Sequence, residues 1–181
     1  MSTFREAESD RLPDESVEAV LNLVNKDSGL QLPRRRFQYN QPIVEEGRIG
    51  SSMYVLLRGE VLVERRGAAI ALLAGKGAFF GEIAALYEGV RRTATVRSRL
   101  GGVEALELST SDIAGLVLLT QKPIIMAIKM ISHIAVSRIR TMSDEDMREL
   151  NIPPRSQWSY TEDGEFPPLK FVPANKFMLV S

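Results

Sequence analysis

The chain has 181 residues, 44% apolar and 25% charged, which suits one domain with extensions and a sizeable core. Lys plus Arg and Asp plus Glu both number 23, so no net charge draws it to nucleic acid or to anionic lipid. With no cysteine and one histidine, His133, disulfides and thiol catalysis are excluded, and too few imidazoles remain for the usual zinc or non-haem iron sites. His133 sits in a helical pattern and reads as structural. No apolar run approaches the ~18 residues of a membrane span. The polar N-terminus, Met1 to Glu8, has no signal-peptide core, so a cytoplasmic protein without a membrane partner is expected.

Residues 1–12 are polar and read as loose. A helix is expected next, with Pro13 in its first turn, Asp14 and Glu15 at its positive end and Val17, Val20, Leu21 and Val24 in one stripe. Lys26-Asp27-Ser28-Gly29 ends it. Together these residues form an N-terminal extension, 1–30. From about Arg35 to Leu108, short β-rich runs alternate with glycine turns at Gly47, Gly50, Gly59, Gly67, Gly75, Gly77 and Gly101-Gly102. Strands are expected near 35–38, 41–45, 52–58, 60–65, 69–73, 93–98 and 103–108, with a short helical turn interrupting at 79–89. The fold class is α+β: an antiparallel double-sheet β-roll, jelly-roll-like, with flanking helices. Ser109 or Thr110 caps a helix bearing Asp112 in its first turn and Ile113, Leu116, Val117 and Leu119 on its apolar face. Pro123 opens a longer helix running to about Leu150, with Ile124, Ile128, Ile131, Ala135 and Met142 at 3–4 spacing and Arg138 interrupting the stripe. That stripe suits the β-roll, a second copy of the chain, or both. Residues 31–150 thus form the central domain. The tail, 151–181, is rich in proline and aromatics, and Trp158, Tyr160, Phe166, Phe171 and Phe177 need cover, so it is expected to fold back or meet a partner. Phe177 to Ser181 reads like the start of a strand, as if a longer protein continued.

The chemistry concentrates in residues 80–96. Gly81 allows close approach to the backbone, and a helix starting there offers unpaired amides to an anion. Glu82 is an acceptor suited to a sugar hydroxyl. Arg92, ten residues on, offers a planar fork of donors to phosphate, and Thr93 adds a hydroxyl. An acid and an arginine so spaced suit the two ends of a sugar phosphate. Leu73-Ala74-Gly75-Lys76-Gly77 lacks Walker spacing and reads as a turn.

Phe80-Gly81-Glu82-Ile83-Ala84 followed by Arg92-Thr93-Ala94-Thr95-Val96 resembles the phosphate-binding cassette of the cyclic nucleotide-binding domain family. Upstream, Glu46-Gly47 and Met53 to Val61 resemble that family's glycine-punctuated strands; downstream, the helices after Ser109 and from Pro123 resemble its B and C helices. About residues 30–145 are covered. The resemblance implies that Glu82 binds the ribose 2′-hydroxyl and Arg92 the cyclic phosphate. Phe80, Gly81, Ile83 and Ala84 would line the pocket, with Thr93 and Ala94 near phosphate and base. It also implies a base cap on the C helix, for which Arg138, Arg140, Thr141 and Ser143 are the candidates. The expected ligand is cAMP, possibly cGMP, with no cofactor or metal expected, and homodimerisation through the C helix is expected as well.

Transcription factors of this family continue into a winged helix-turn-helix, whereas the final thirty or so residues here show no such pattern, so no DNA partner is expected. Arg34-Arg35-Arg36 reads as a solvated cluster. The leading expectation is a cyclic-nucleotide sensor without enzymatic activity, acting on an effector the sequence does not identify. The alternatives are a β-roll interaction module that binds no cyclic nucleotide, or another nucleotide, and a cupin-like enzyme, which lacks its histidines.

Overall fold

The computed structural model describes residues 5–6, 11–25, 32–87, 89–118, 121–157, 159–161 and 164–166. Two sheets face each other. One has the order β1-β6-β5-β8-β3, from β1 (Arg5–Glu6), β6 (Ala68–Ala74), β5 (Glu60–Arg65), β8 (Thr95–Ser98) and β3 (Pro42–Val44). The other has the order β2-β9-β4-β7, from β2 (Arg34–Phe37), β9 (Val103–Ser109), β4 (Ser52–Arg58) and β7 (Phe79–Phe80). Neighbours are antiparallel except β1 and β6. The β-roll read from alternating apolar runs is therefore present, with each central strand within two residues of its expected span. The two-residue β7 was not foreseen.

The roll closes around Val44, Leu56, Val61, Phe80, Val96 and Ala105. A second cluster lies outside it, where Met53, Val55, Leu106 and Leu108 meet the helices. Those helices are α1 (Asp14–Asn25), α3 (Thr110–Leu118) and α4 (Lys122–Arg140), with the single turn α2 (Glu82–Leu86) and the short α5 (Asp144–Glu149). In α1, Val17 and Val20 are buried and Ser16 Oγ donates to the Pro123 carbonyl at 3.0 Å, tying the two helices together. At the start of α3, Ser109 and Asp112 cap reciprocally: the Ser109 amide donates to Asp112 Oδ2 at 2.7 Å and the Asp112 amide to Ser109 Oγ at 3.1 Å. His133 lies on the exposed side of α4.

Two expectations need correction. Residues 1–12 are not wholly loose, because Arg5–Glu6 pair with β6 and the Leu12 amide donates to the Gly77 carbonyl at 2.9 Å. The long C-terminal helix does not reach Leu150 unbroken: it stops at Arg140, and α5 starts afresh behind Ser143. Ser143 and Asp146 form a capping box there, and three acids fill the first turn of α5. The restart lets Asp146 accept from Arg65 and Arg66, both at 2.8 Å, at the tight β5–β6 turn. In the tail, Ile152 is buried, its amide donates to the Met147 carbonyl at 2.8 Å, and Arg155 donates to the Met142 carbonyl at 2.7 Å. Residues up to Arg155 thus fold back onto the domain, and a hairpin pairs β10 (Ser159–Thr161) with β11 (Gly164–Phe166). Trp158, Phe171 and Phe177, like the strand expected near Ser181, lie outside the described residues.

Candidate functional site

A cavity of about 230 Å³ opens between the two sheets and the α4–α5 junction. All eight cassette residues singled out in the sequence line it: Phe80, Gly81, Glu82, Ile83, Ala84, Arg92, Thr93 and Ala94. Val63, Arg65, Ile70, Ala71 and Leu73 form the wall from β5 and β6. Of the base-cap candidates, Arg138 and Thr141 line it, together with Met142. Arg140 and Ser143 do not; Ser143 is committed to capping α5, and Arg140 is on the exposed side of α4. A smaller cavity of about 30 Å³ beneath α1, α3 and α4 is lined wholly by apolar side chains and has nothing to orient a polar ligand.

Arg92 follows the Arg91–Ile49 bridge and is only 7% exposed. Its Nη1 donates to the carbonyls of Ser52 at 2.6 Å and Gly81 at 2.8 Å, and its Nη2 to Ser52 Oγ at 3.3 Å. A guanidinium has five N–H donors. Both Nη1 hydrogens are used, which leaves Nε–H and one Nη2–H without a protein acceptor among the described residues. No carboxylate of those residues lies within salt-bridge distance of it. Burial pushes its pKa down, against the attraction of Tyr54, Glu82 and Glu107, yet an arginine keeps its charge at any physiological pH. The arrangement is a fixed, desolvated cation whose acceptors are neutral carbonyls and a hydroxyl.

Space for that cation is supplied by two glycines. A Cβ at Gly50 would lie 2.1 Å from Arg92 Nε, and one at Gly81 would lie 2.7 Å from Nη1. Gly81 also adopts φ +80° as it leads into α2. Because α2 has a single turn, its dipole is weak and Arg92 dominates the field for an anion. Gly50 and Ser52 were not singled out in the sequence as site residues. Gly50 reads there as one more turn, and nothing in the spacing reveals that it faces a side chain 42 positions later.

Glu82 is 2% exposed and has a cation of its own. Arg138 Nη1, from α4, donates to Glu82 Oε1 at 2.6 Å, and its guanidinium lies 5.7 Å from the centre of the Phe79 ring. The carboxylate expected to meet a sugar hydroxyl is thus engaged by the helix expected to cap the base. Behind the pocket Phe80 stacks on Tyr54, with ring centres 5.3 Å apart, and Tyr54 Oη donates to Glu107 Oε1 at 3.0 Å. Tyr87, just past α2, buries its hydroxyl with no hydrogen-bond partner among the described residues, and burial pushes its pKa up, with Glu82 adding to the shift.

A model of the cyclic nucleotide-binding domain family matches residues 34–118, a little under half of the chain. Among solved structures, the fold is similar to the catabolite activator protein of Thermus thermophilus, with 27% identity over 77% of this chain and a TM-score of 0.53. The match covers 59% of that protein, so this chain spans little more than half of its length. It is also similar to a structure described for a cyclic-GMP-dependent signalling pathway in bacterial phytopathogenesis, at 19% identity and TM-score 0.58, over 74% of this chain and 98% of that one. A third likeness is to cAMP-bound PfPKA-R, at 21% identity and TM-score 0.52, over 77% of this chain and 46% of that one. Residues 34–118, which hold the cassette and all strands of the β-roll except β1, therefore match the cyclic nucleotide-binding domain family, and the solved structures share its fold. No helix among the described residues is long and apolar enough to cross a membrane, and those residues hold no cluster of three potential metal ligands.

Proposed function

We propose that this chain is a cyclic-nucleotide sensor whose pocket is the cavity between Arg92 and α4. The observation that carries the reading is Arg92: a buried cation with two uncommitted donors and no carboxylate partner among the described residues. Such a group gains most from a ligand that brings a compact negative charge, as a cyclic phosphate does. Glu82 would accept from the ribose 2′-hydroxyl, and Phe80, Gly81, Ile83, Ala84, Thr93 and Ala94 would enclose the sugar phosphate. Arg138 and Thr141 would lie over the base, beside the apolar wall of Val63, Ile70 and Ala71.

On this reading cAMP is the preferred ligand, with cGMP the weaker one. Guanine presents N1–H and N2–H donors that favour a carboxylate, and the one carboxylate among the described residues that line the pocket, Glu82, is held by Arg138. The signal would leave through α4 and α5, because Arg138, Thr141 and Met142 touch both the pocket and that junction. The effector is a separate domain or protein, not an activity of this one. A homodimer through α4 would use its exposed side, around Met126 and His133, since Ile124, Ile131 and Ala135 already face the chain's own core.

Titration calorimetry with cAMP and cGMP tests the reading. Binding of cAMP is expected, weakened strongly by Arg92→Ala and by Glu82→Ala. Absence of heat and of any thermal shift with both nucleotides overturns it. Sedimentation with and without nucleotide tests the dimer, which an unchanged monomer refutes.

A further inference from the structure

We infer that the N-terminal arm, through Arg5–Glu6 and Arg11–Leu12, is a strap that positions the wall of the nucleotide pocket; this inference rests on the reading of the pocket given above. The wall has an irregularity at one of its lining residues, Ile70. In the β5–β6 ladder Val63 pairs with Ala71 and Glu64 with Ala69, so Ile70 is an extra residue without a partner. That is a β-bulge, and bulges re-aim side chains. Strict alternation would send Ala71 and Leu73 to the cavity and Ile70 away from it; the bulge brings Ile70 to the lining as well. Ile70 is 50% exposed, so its neighbours in the fold hold it only partly.

Without β1, β6 would be the open edge of its sheet. A bulged edge strand frays readily. The arm pairs with β6 at Arg5↔Ala71 and Glu6↔Leu72, the two positions immediately after the bulge. A second attachment lies where β6 has turned towards the cassette. Arg11 pairs with Ala78, its Nε and Nη2 donate to the Lys76 carbonyl at 3.1 and 2.7 Å, and the Leu12 amide donates to the Gly77 carbonyl. The contact there is close enough to demand glycine: a Cβ at Gly77 would lie 2.6 Å from the Leu12 carbonyl oxygen. Three residues after Ala78 comes Gly81, then Glu82. The arm therefore grips both ends of segment 71–78, which joins the pocket wall to the phosphate and ribose residues. Releasing its Arg5–Glu6 half, with Leu12 left in the core, loosens Ile70 and Ala71 without touching Arg92 or Glu82.

The full chain carrying Arg5→Pro and Glu6→Pro tests this, because whichever amide feeds the β1–β6 ladder is lost and the rest of the protein is intact. A chain lacking residues 1–8 is the second variant. In nucleotide-free protein, amide hydrogen exchange across 70–73 should speed up by about fivefold, the factor corresponding to one net hydrogen bond. Dissociation of a fluorescent cAMP analogue should accelerate by several-fold, while the melting temperature stays within about 2 °C, as expected of an edge contact. Unchanged exchange in both variants overturns the inference. Faster exchange with unchanged dissociation overturns the positioning role, and so does faster dissociation accompanied by a matching fall in melting temperature. Should the unmodified protein bind no nucleotide, the reading beneath the inference falls and the positioning role with it; the exchange data still decide whether the arm holds β6.

Discussion

Gly50→Ala is a sharp probe of the anion site, because its backbone gives no reason for glycine. Gly50 is not among the positive-φ residues, so alanine suits its conformation. The obstacle is space: the new Cβ would stand 2.1 Å from Arg92 Nε, 2.3 Å from Cζ and 2.6 Å from Nη2. Comfortable contact needs roughly 3.5 Å, so the guanidinium must retreat by about 1.5 Å. That breaks the 2.6 and 2.8 Å bonds to the Ser52 and Gly81 carbonyls. Two lost bonds cost about 1 kcal/mol each, and the lower entropy of the unfolded alanine chain returns about 0.4–1 kcal/mol. The net loss is about 1–2 kcal/mol, or roughly 3–6 °C in melting temperature. Losing a charge-assisted contact of about 1.5–3 kcal/mol should weaken cyclic nucleotide by roughly ten- to a hundredfold or more. Gly47→Ala is the control. Gly47 has φ +78° with open space around its Cβ, so it should lose about 1–2 kcal/mol through backbone strain and leave affinity alone. Calorimetry and thermal melts on both variants decide the matter. Wild-type affinity in Gly50→Ala, or equal affinity losses in both, would refute a pre-positioned Arg92.

Arg138→Met should destabilise the nucleotide-free protein by about 2–3 kcal/mol in urea, at or below the low end for a fully buried pair, because Arg138 is 28% exposed while Glu82 is 2% exposed; an unchanged midpoint means that the ion pair does not form. Ser143→Ala removes the cap of α5 and should cost about 1 kcal/mol, read as a fall of about 2–4 °C in melting temperature. The Asp146 carboxyl is held below its ordinary 3.8 by the Ser143 hydrogen bond first and by Arg65 and Arg66 after it. A carboxyl lowered on folding adds stability that is present above its unfolded value and is lost as pH falls through the folded one. Asp146→Asn should therefore lower urea midpoints at pH 7 and flatten their decline below about pH 4, and an acid limb identical to wild type would show that the carboxyl is not paired. Tyr87→Phe removes a buried hydroxyl with no partner among the described residues and should be neutral or stabilising by about 1 kcal/mol in the same assay; a clear loss would reveal a partner.

The sheets were legible because their strands announce themselves twice, by alternation and by the glycines between them. β4, β5 and β9 needed nothing more. The cassette was legible for a different reason: Gly81, Glu82 and Arg92 are close in sequence and carry chemistry that few other patterns combine. What escaped had weak or distant signals. The break in the C-terminal helix is invisible to the apolar stripe, since Met142, seven residues after Ala135, continues it past the helix end at Arg140. The sign of the break was Ser143-Asp144-Glu145-Asp146, a cap followed by acids, which marks a new start rather than a helix interior. A two-residue strand such as Arg5–Glu6 has no period to detect. The Arg138–Glu82 pair joins residues 56 apart, and Gly50 faces Arg92 across 42, so both depend on a fold that the local pattern does not encode.

The two charged residues of the cassette stand in unequal positions, and that inequality suggests how binding and signalling divide between them. Arg92 gives its donors to carbonyls fixed by β4 and by the start of α2, all within the roll. An anion reaching its remaining donors displaces no protein group, so its energy goes into affinity. Glu82 is held by Arg138, which belongs to α4. A ribose hydroxyl reaching Glu82 must share the carboxylate with Arg138 or replace it, and either outcome changes what holds the end of α4 against the pocket. A ligand shifts a conformational equilibrium only by its differential interaction with the two states. On the proposed reading that differential arises at Glu82 and Arg138, whereas Arg92 stays fixed. Substituting Arg92 should then abolish binding, and substituting Arg138 should leave the phosphate contact intact while uncoupling the pocket from the α4–α5 junction.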